Sequence, residues 1–188
     1  MKTMIPLLII LLASTLAFSQ KKVEREFGIS PKQVHPLAIS FVDSLSPTGK
    51  VKWYEETGLD KTTIEAKTKL NGKKYSIEFA QNGHLEDIEM ILKMSDLPEN
   101  TKQSIENFLK SDFKKYHVDK IQIQYSGSRE SLFLQVSTGN SKAEIRYELV
   151  VSARVNKAFH TFEYLFTADG VMIQKSEIIQ KNTDHLVF

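Results

Sequence analysis

The chain contains no cysteine in 188 residues. That absence excludes disulfide staples, thiolate catalysis, cysteine-ligated zinc and a lipid thioether anchor. An excess of one charge is also lacking: 25 Lys+Arg face 23 Asp+Glu. Neither nucleic acid nor an anionic membrane surface is favoured as a partner, because both require a clustered positive field. The sequence has no G-x-S-x-G, no H-E-x-x-H and no Walker or dinucleotide glycine loop. Gly127-Ser-Arg-Glu-Ser131 and Thr138-Gly-Asn-Ser141 read as hairpin turns. The longest apolar stretch, Met4 to Leu16, is shorter than the roughly 20 residues of a spanning helix.

That stretch has a different use. Lys2 precedes it, and the small residues Ala17 and Ser19 stand where a signal peptidase reads, so residues 1–19 are expected to be a secretory signal cleaved before Gln20. The product would be periplasmic or extracellular and free of any membrane. It would hold 169 residues (188 less 19), enough for one domain or two small ones. Residues 20–29, with Lys21, Lys22, Glu24, Arg25 and Glu26, read as a solvated lead-in.

From Ser30 onward the apolar pattern becomes regular. Ser30-Pro-Lys-Gln33 is a capping box, and Val34, Leu37, Ala38, Phe41, Val42 and Leu45 recur at helical spacing. Pro36 should kink that helix or delay its start. A second helix opens at Leu97-Pro98-Glu99, with Ile105, Phe108, Leu109, Phe113 and Tyr116 on its apolar stripe. Strands are expected at about 50–56, 61–70, 73–80 and 84–92 after the first helix. After the second they are expected at about 118–126, 131–137, 142–155, 158–167 and 171–180. The additional hairpin turns at Ser137-Thr-Gly-Asn-Ser141.

Two passages echo each other. Tyr75-Ser-Ile-Glu-Phe79-Ala-Gln-Asn-Gly83-His-Leu85 matches Phe162-Glu-Tyr-Leu-Phe166-Thr-Ala-Asp-Gly170-Val-Met172 in its alternation and its Asn-Gly or Asp-Gly turn. The echo implies a duplicated unit, 30–95 and 96–188, with the extra hairpin in the second copy. Along the strands, Ile64, Ala66, Thr68 and Leu70 oppose Glu65, Lys67 and Lys69, while Ile145, Tyr147, Leu149 and Val151 oppose Arg146, Glu148 and Ser152. One sheet face is therefore dry and must be roofed by the two helices. The expected fold is α+β: tandem helix-plus-antiparallel-meander units forming one broad sheet, helices on one face and water on the other.

Val51-Lys-Trp53-Tyr-Glu55, Asn71-Gly-Lys-Lys-Tyr75-Ser-Ile-Glu-Phe79, Asn82-Gly83 followed by Leu85-Glu-Asp-Ile-Glu89, and Leu97-Pro98 carry a resemblance. In these motifs, from about Ser30 to Ile179, the chain resembles the PepSY-like, β-lactamase-inhibitor-like proteins secreted by Bacteroidetes-type bacteria. A second tryptophan is missing, with Ile121 to Tyr125 in its place, and the second half is longer. The resemblance implies tandem units joined into a curved sheet, as in inhibitors that cup a β-lactamase. It supplies no catalytic residues.

The residues themselves suggest no enzyme. His35, His84, His117, His160 and His185 form no ligand pair. In His84-Leu-Glu86-Asp87-Ile-Glu89, strand alternation would put His84 and Glu86 opposite Asp87 and Glu89, so no metal or other cofactor is expected. Phe41, Phe79, Phe108, Phe162, Tyr164, Phe166 and Trp53 read as core. Tyr54, Lys67, Lys69, Glu78, Gln122, Gln124, Arg146, Glu148 and Glu163 point outward and form the candidate contact surface. Eight strands make a face on the order of 750 Å², near the ~800 Å² each side of a standard interface buries. The expected function is an exported, non-catalytic, inhibitor-like protein that presents this open face to a protein or peptide. The alternative is a carrier of a small apolar ligand held between helices and sheet.

Overall fold

A computed structural model describes residues 20–23, 25–58 and 61–179. The expected signal at 1–19 lies outside the described residues. Ten strands form one mixed sheet: β1 (Gln20–Lys22), β2 (Arg25–Ile29), β3 (Lys52–Thr57), β4 (Thr62–Leu70), β5 (Lys73–Ala80), β6 (Leu85–Ile91), β7 (Tyr116–Ser126), β8 (Glu144–Val155), β9 (Ala158–Thr167) and β10 (Met172–Ile178). Helices α1 (Pro36–Ser44), α2 (Glu99–Asp112) and α3 (Arg129–Thr138) interrupt the strands. The fold is α+β, as the alternation requires. Among the described residues no helix is long and apolar enough to cross a membrane.

Pro36 delays the first helix. The Ser30–Gln33 capping box forms, but around a separate 3-10 turn at Pro31–Gln33. The α-helix begins only at Pro36, whose missing N–H matters least in the first turn, and His35 Nδ1 accepts from the Leu37 N–H. Ala38, Phe41 and Val42 then face the sheet, where Phe41 meets Phe79 edge-on at 6.1 Å. On the other side Phe108 of α2 stands edge-on to Tyr164 and Phe166, at 5.9 and 5.6 Å, with Ile105 and Leu109 buried beside it.

The expected strand at 131–137 and hairpin at 137–141 are corrected to α3. Ser128 caps it by accepting from the Ser131 N–H, and Gly139, at φ 72°, ends it in the left-handed conformation. Leu132, Phe133 and Val136 fit either period, but Leu132 is fully buried and the other two pack on the core while Leu134 is exposed. Width explains the need. Two helices of 10–12 Å leave much of an eight-strand face uncovered, and α3 fills the gap over β6 and β7.

The N-terminal segment is largely exposed, as expected, but it is also paired into the sheet. Lys22 is paired in parallel with Ile178 of β10, and Arg25 is paired antiparallel with Thr57 of β3. These partners stand at opposite ends of the strand order. A flat ten-strand sheet would separate its edges by about 43 Å, whereas three residues reach about 11 Å. The sheet is therefore rolled until its edges meet, and β1 and β2 form the seam. Hydropathy gave no sign of this, because ladder hydrogen bonds use backbone groups that every residue except proline carries.

The two echoed turns share one geometry. Gly83 donates to Ala80 O and Gly170 to Thr167 O, each at φ 78°. Each turn docks on a helix start: a Cβ on Gly83 would meet the His35 ring, and one on Gly170 would lie 2.7 Å from Thr101 O.

Candidate functional site

Rolling turns the polar face inward. Instead of a bare platform open to water, this face lines a lumen of about 1180 Å³, while the helices sit on the outer side. Lys67, Lys69, Glu78, Gln122, Gln124, Glu148 and Glu163 all line it. Tyr54 lies under the Lys67 ammonium, 4.9 Å from its ring centre, and Arg146 pairs with Glu144 at 2.8 Å. The nine expected residues share the face, but the curl buries one of them. Gln122 is only 4% exposed.

Lysines neutralise much of the lumen. Lys67 bridges Glu26 of the seam and Glu65 of β4, the latter at 3.0 Å. With Glu56, these carboxylates gather closely enough for a metal ion, but Lys67 already supplies the positive charge. Lys61 reaches Glu86 at 2.7 Å and Glu78 at 3.3 Å, Lys22 reaches Glu163 at 2.7 Å, and Lys120 lies 3.6 Å from Glu148. Partial burial opposes the charge on Lys61 and Lys67, yet their carboxylate partners hold both above the ordinary lysine value.

Asp87 and Glu89 are held differently. Gln124 Nε2 donates to Asp87 at 3.2 Å, and Gln122 Nε2 donates to Glu89 at 2.6 Å. Burial, reinforced by Glu78 and opposed by Lys61, with Glu148 and Glu86 adding smaller pushes, moves Asp87 up to about 8. Burial, then Glu148 and Asp87, raises Glu89 well above the usual carboxylate range, with Lys120 pulling the other way. Burial thus favours the protonated form of both carboxyls. Among the described residues, Asp87 Oδ1 and Gln122 Oε1 are buried without a hydrogen-bond partner.

Strand alternation mispredicts one pair. Glu86 and Asp87 were expected on opposite faces, but a bulge lets Phe79 pair with Leu85 while Glu78 pairs with Asp87. The extra residue breaks the two-residue period, so Lys61 contacts Glu86 while also acting on Asp87. The lumen residues missed from sequence (Lys22, Glu26, Lys61, Glu65, Asp87 and Glu89) are polar residues whose positions depend on register and closure. The signal available was the shared face of Asp87 and Glu89, two residues apart.

Between helices and sheet the interior is packed. Phe113, Phe162, Tyr164 and Phe166 stack with centroids 5.2 to 6.4 Å apart, and Trp53 tilts against Phe79 at 6.2 Å. The space an apolar ligand would need there is filled with side chains. A shallower cleft of about 380 Å³ lies on the outer side between α1 and α3, lined by Phe41, Ser44, Arg129, Glu130, Phe133 and Leu134.

No family model matches the chain, and no curated protein matches it either. Solved structures do. A DUF2874 family protein from Bacteroides ovatus is 13% identical, with 77% of this chain and 87% of that one covered at a TM-score of 0.52. A candidate periplasmic protein from Bacteroides eggerthii is also 13% identical, covering 77% and 88% at 0.54. A BLIP-like protein from Bacteroides fragilis, 17% identical over 82% and 95%, reaches 0.49, too low to carry weight. At 13% identity, the likeness to the first two is one of fold alone.

Proposed function

We propose that this is an exported, non-catalytic binding protein that takes a segment of a protein or peptide partner into its polar lumen. The observation that carries the reading is the lumen itself: about 1180 Å³, lined by charged and amide side chains from strands all around the sheet. A volume of that size slightly exceeds the usual ligand pocket. Charges of both signs suit recognition by electrostatic complementarity. The rolled sheet changes the expected mode from a flat face-to-face dock to insertion of a loop or terminus.

The PepSY-like, inhibitor-like kinship read from the motifs belongs to this proposal, as does periplasmic or extracellular residence. So does the duplication of units 30–95 and 96–188, which the matched turns at Gly83 and Gly170 support. The test is co-purification from a secreted or periplasmic extract, followed by hydrogen-exchange footprinting of the complex. Protection should fall on β4, β5, β6 and β7. Protection confined to α1, α2 and α3 would refute the lumen as the binding site.

A further inference from the structure

The charges of the lumen are not spread evenly. At the mouth made by the start of β3, the end of β4 and the start of β5, Lys52 stands opposite Lys67 in the ladder, and Lys69 stands opposite Lys74 beside the Asn71–Gly72 turn. Lys50 joins them. The Thr48 N–H donates to Lys69 O and Thr68 Oγ1 donates to Gly49 O, so the chain just before β3 lies along the end of β4. All five lysines line the lumen. Lys67 is held by Glu26 and Glu65. Lys50, Lys52, Lys69 and Lys74 are exposed, and among the described residues their ammonium groups form no ion pair or hydrogen bond. One step deeper, Glu65 stands opposite Tyr54 on one side and Glu78 on the other, so the unpaired positive charge ends there.

Two further observations point to a ligand. Like charges directly opposite one another destabilise a sheet, and Lys69 faces Lys74 with no carboxylate to relieve the repulsion. An anion seated between them would relieve it. The other observation is independent of charge. Ile91, the last residue of β6, lines the same lumen and is 47% exposed. Its neighbour Met90 pairs with Tyr75, which places Ile91 beside Lys74. An apolar side chain thus lies open in a polar wall next to unpaired cations.

Resting on the reading of the lumen as the binding site, we propose that this mouth receives an acidic segment of a peptide or protein partner, with its carboxylates on Lys50, Lys52, Lys69 and Lys74 and an apolar side chain on Ile91. The cations cover about 10 Å across the strands and about 7 Å along them. Alternate side chains of an extended peptide also stand about 7 Å apart, so separate carboxylates match this spread. A single phosphate is too small to span it.

A nucleic-acid strand fits less well. Its unbroken line of phosphates would meet Glu65 and Glu78 one step inside the mouth, and its backbone brings no aliphatic group to Ile91. Because the lysines are exposed, each contact with a carboxylate is weak and screened by salt, and affinity comes from several acting together.

Fluorescence anisotropy at pH 7, at low salt and at about 0.15 M salt, tests the assignment. The probe is the labelled peptide amide Glu-Glu-Leu-Glu-Glu, and the unlabelled competitors are Gln-Gln-Leu-Gln-Gln, tripolyphosphate and decathymidylate. The acidic peptide should bind at low salt and weaken at least threefold at the higher salt. The double variant Lys69→Gln with Lys74→Gln should bind it at least tenfold more weakly, and its melting temperature should not fall, because the opposed charges are gone. Ile91→Ser should weaken the peptide threefold or more and leave tripolyphosphate unchanged. Absence of peptide binding at low salt, equal competition by the glutamine peptide, tighter binding of tripolyphosphate or decathymidylate, or unchanged peptide affinity in either variant overturns the assignment. A partner that footprints on the lumen while the acidic peptide fails leaves the function intact and removes only the acidic-segment assignment; a footprint confined to the helices removes both.

Discussion

Asp87 should make the stability of this protein fall as pH rises. In the unfolded chain its carboxyl titrates near 3.8, whereas in the lumen it holds its proton up to about 8. Between these values the folded state binds more protons than the unfolded one, so unfolding free energy decreases with increasing pH. The stability is fully present below pH 3.8 and is lost progressively up to about 8. At about 1.4 kcal/mol per pH unit, the loss between pH 4 and 7 comes to about 4 kcal/mol from Asp87 alone. That is a large share of the 5–15 kcal/mol typical of a domain. Asp87→Asn keeps the neutral shape and removes the titration. It should match the native protein at pH 4 and exceed it by about 4 kcal/mol at pH 7, or about 10 °C in melting temperature. Urea unfolding followed by Trp53, the single and buried tryptophan, reads this directly. Equal pH slopes for the two proteins between pH 4 and 8 would refute the buried-carboxyl argument.

Other perturbations separate the supports of the fold. Gly72→Ala meets only the left-handed strain of φ 80° and should lose about 1–2 kcal/mol, whereas Gly170→Ala adds a collision with the Thr101 carbonyl and should lose clearly more, by chemical denaturation. Tyr164→Phe removes the hydroxyl that donates to Asp112, but Lys175 still holds that carboxylate at 2.8 Å, so the loss should stay near 1–2 kcal/mol. Lys175→Ala removes that ion pair together with an ammonium lying 4.6 to 5.4 Å from the Phe113, Phe162 and Tyr164 rings, and should lower the melting temperature by several degrees. Lys22→Glu sets a carboxylate against Glu163 and should speed amide exchange at 176–178 while β4 and β5 stay protected.

Legibility followed periodicity. Apolar residues at spacing two located β4, β5, β8 and β9 because burial on one face imposes that spacing, and spacing 3.6 located α1 and α2 for the same reason. Where period carried no information, the reading failed. Leu132, Phe133, Leu134 and Val136 satisfy both templates, and only the caps at Ser128 and Gly139 decide for a helix. Residues 20–29 have no apolar alternation strong enough to announce β1 and β2; the force that pairs them is in the backbone. Alternation puts the outward polar residues on one face, but the shape of that face depends on curvature, which a list of alternating side chains does not encode. The bulge at Glu86 shows the same limit in miniature, since one extra residue moves an acid across the sheet.

Under the proposed function, closure also limits what a partner can be. Without β1 and β2, strands β3 and β10 would offer unpaired backbone edges, and a partner strand could extend the ladder. Here β1 occupies the edge of β10 and β2 the edge of β3, so those two ladders are taken by the chain itself. The charged face, meanwhile, is concave and narrow. A broad rigid surface does not enter a space of about 1180 Å³, but a loop, a terminus or a long side chain does. Burial gives such an intruder its selectivity. Removing Asp87, Glu89 and Gln122 from water leaves groups that strongly favour a complementary polar group and strongly disfavour an apolar one. Under the proposed function, the rolled sheet exchanges contact area for discrimination by its buried polar side chains.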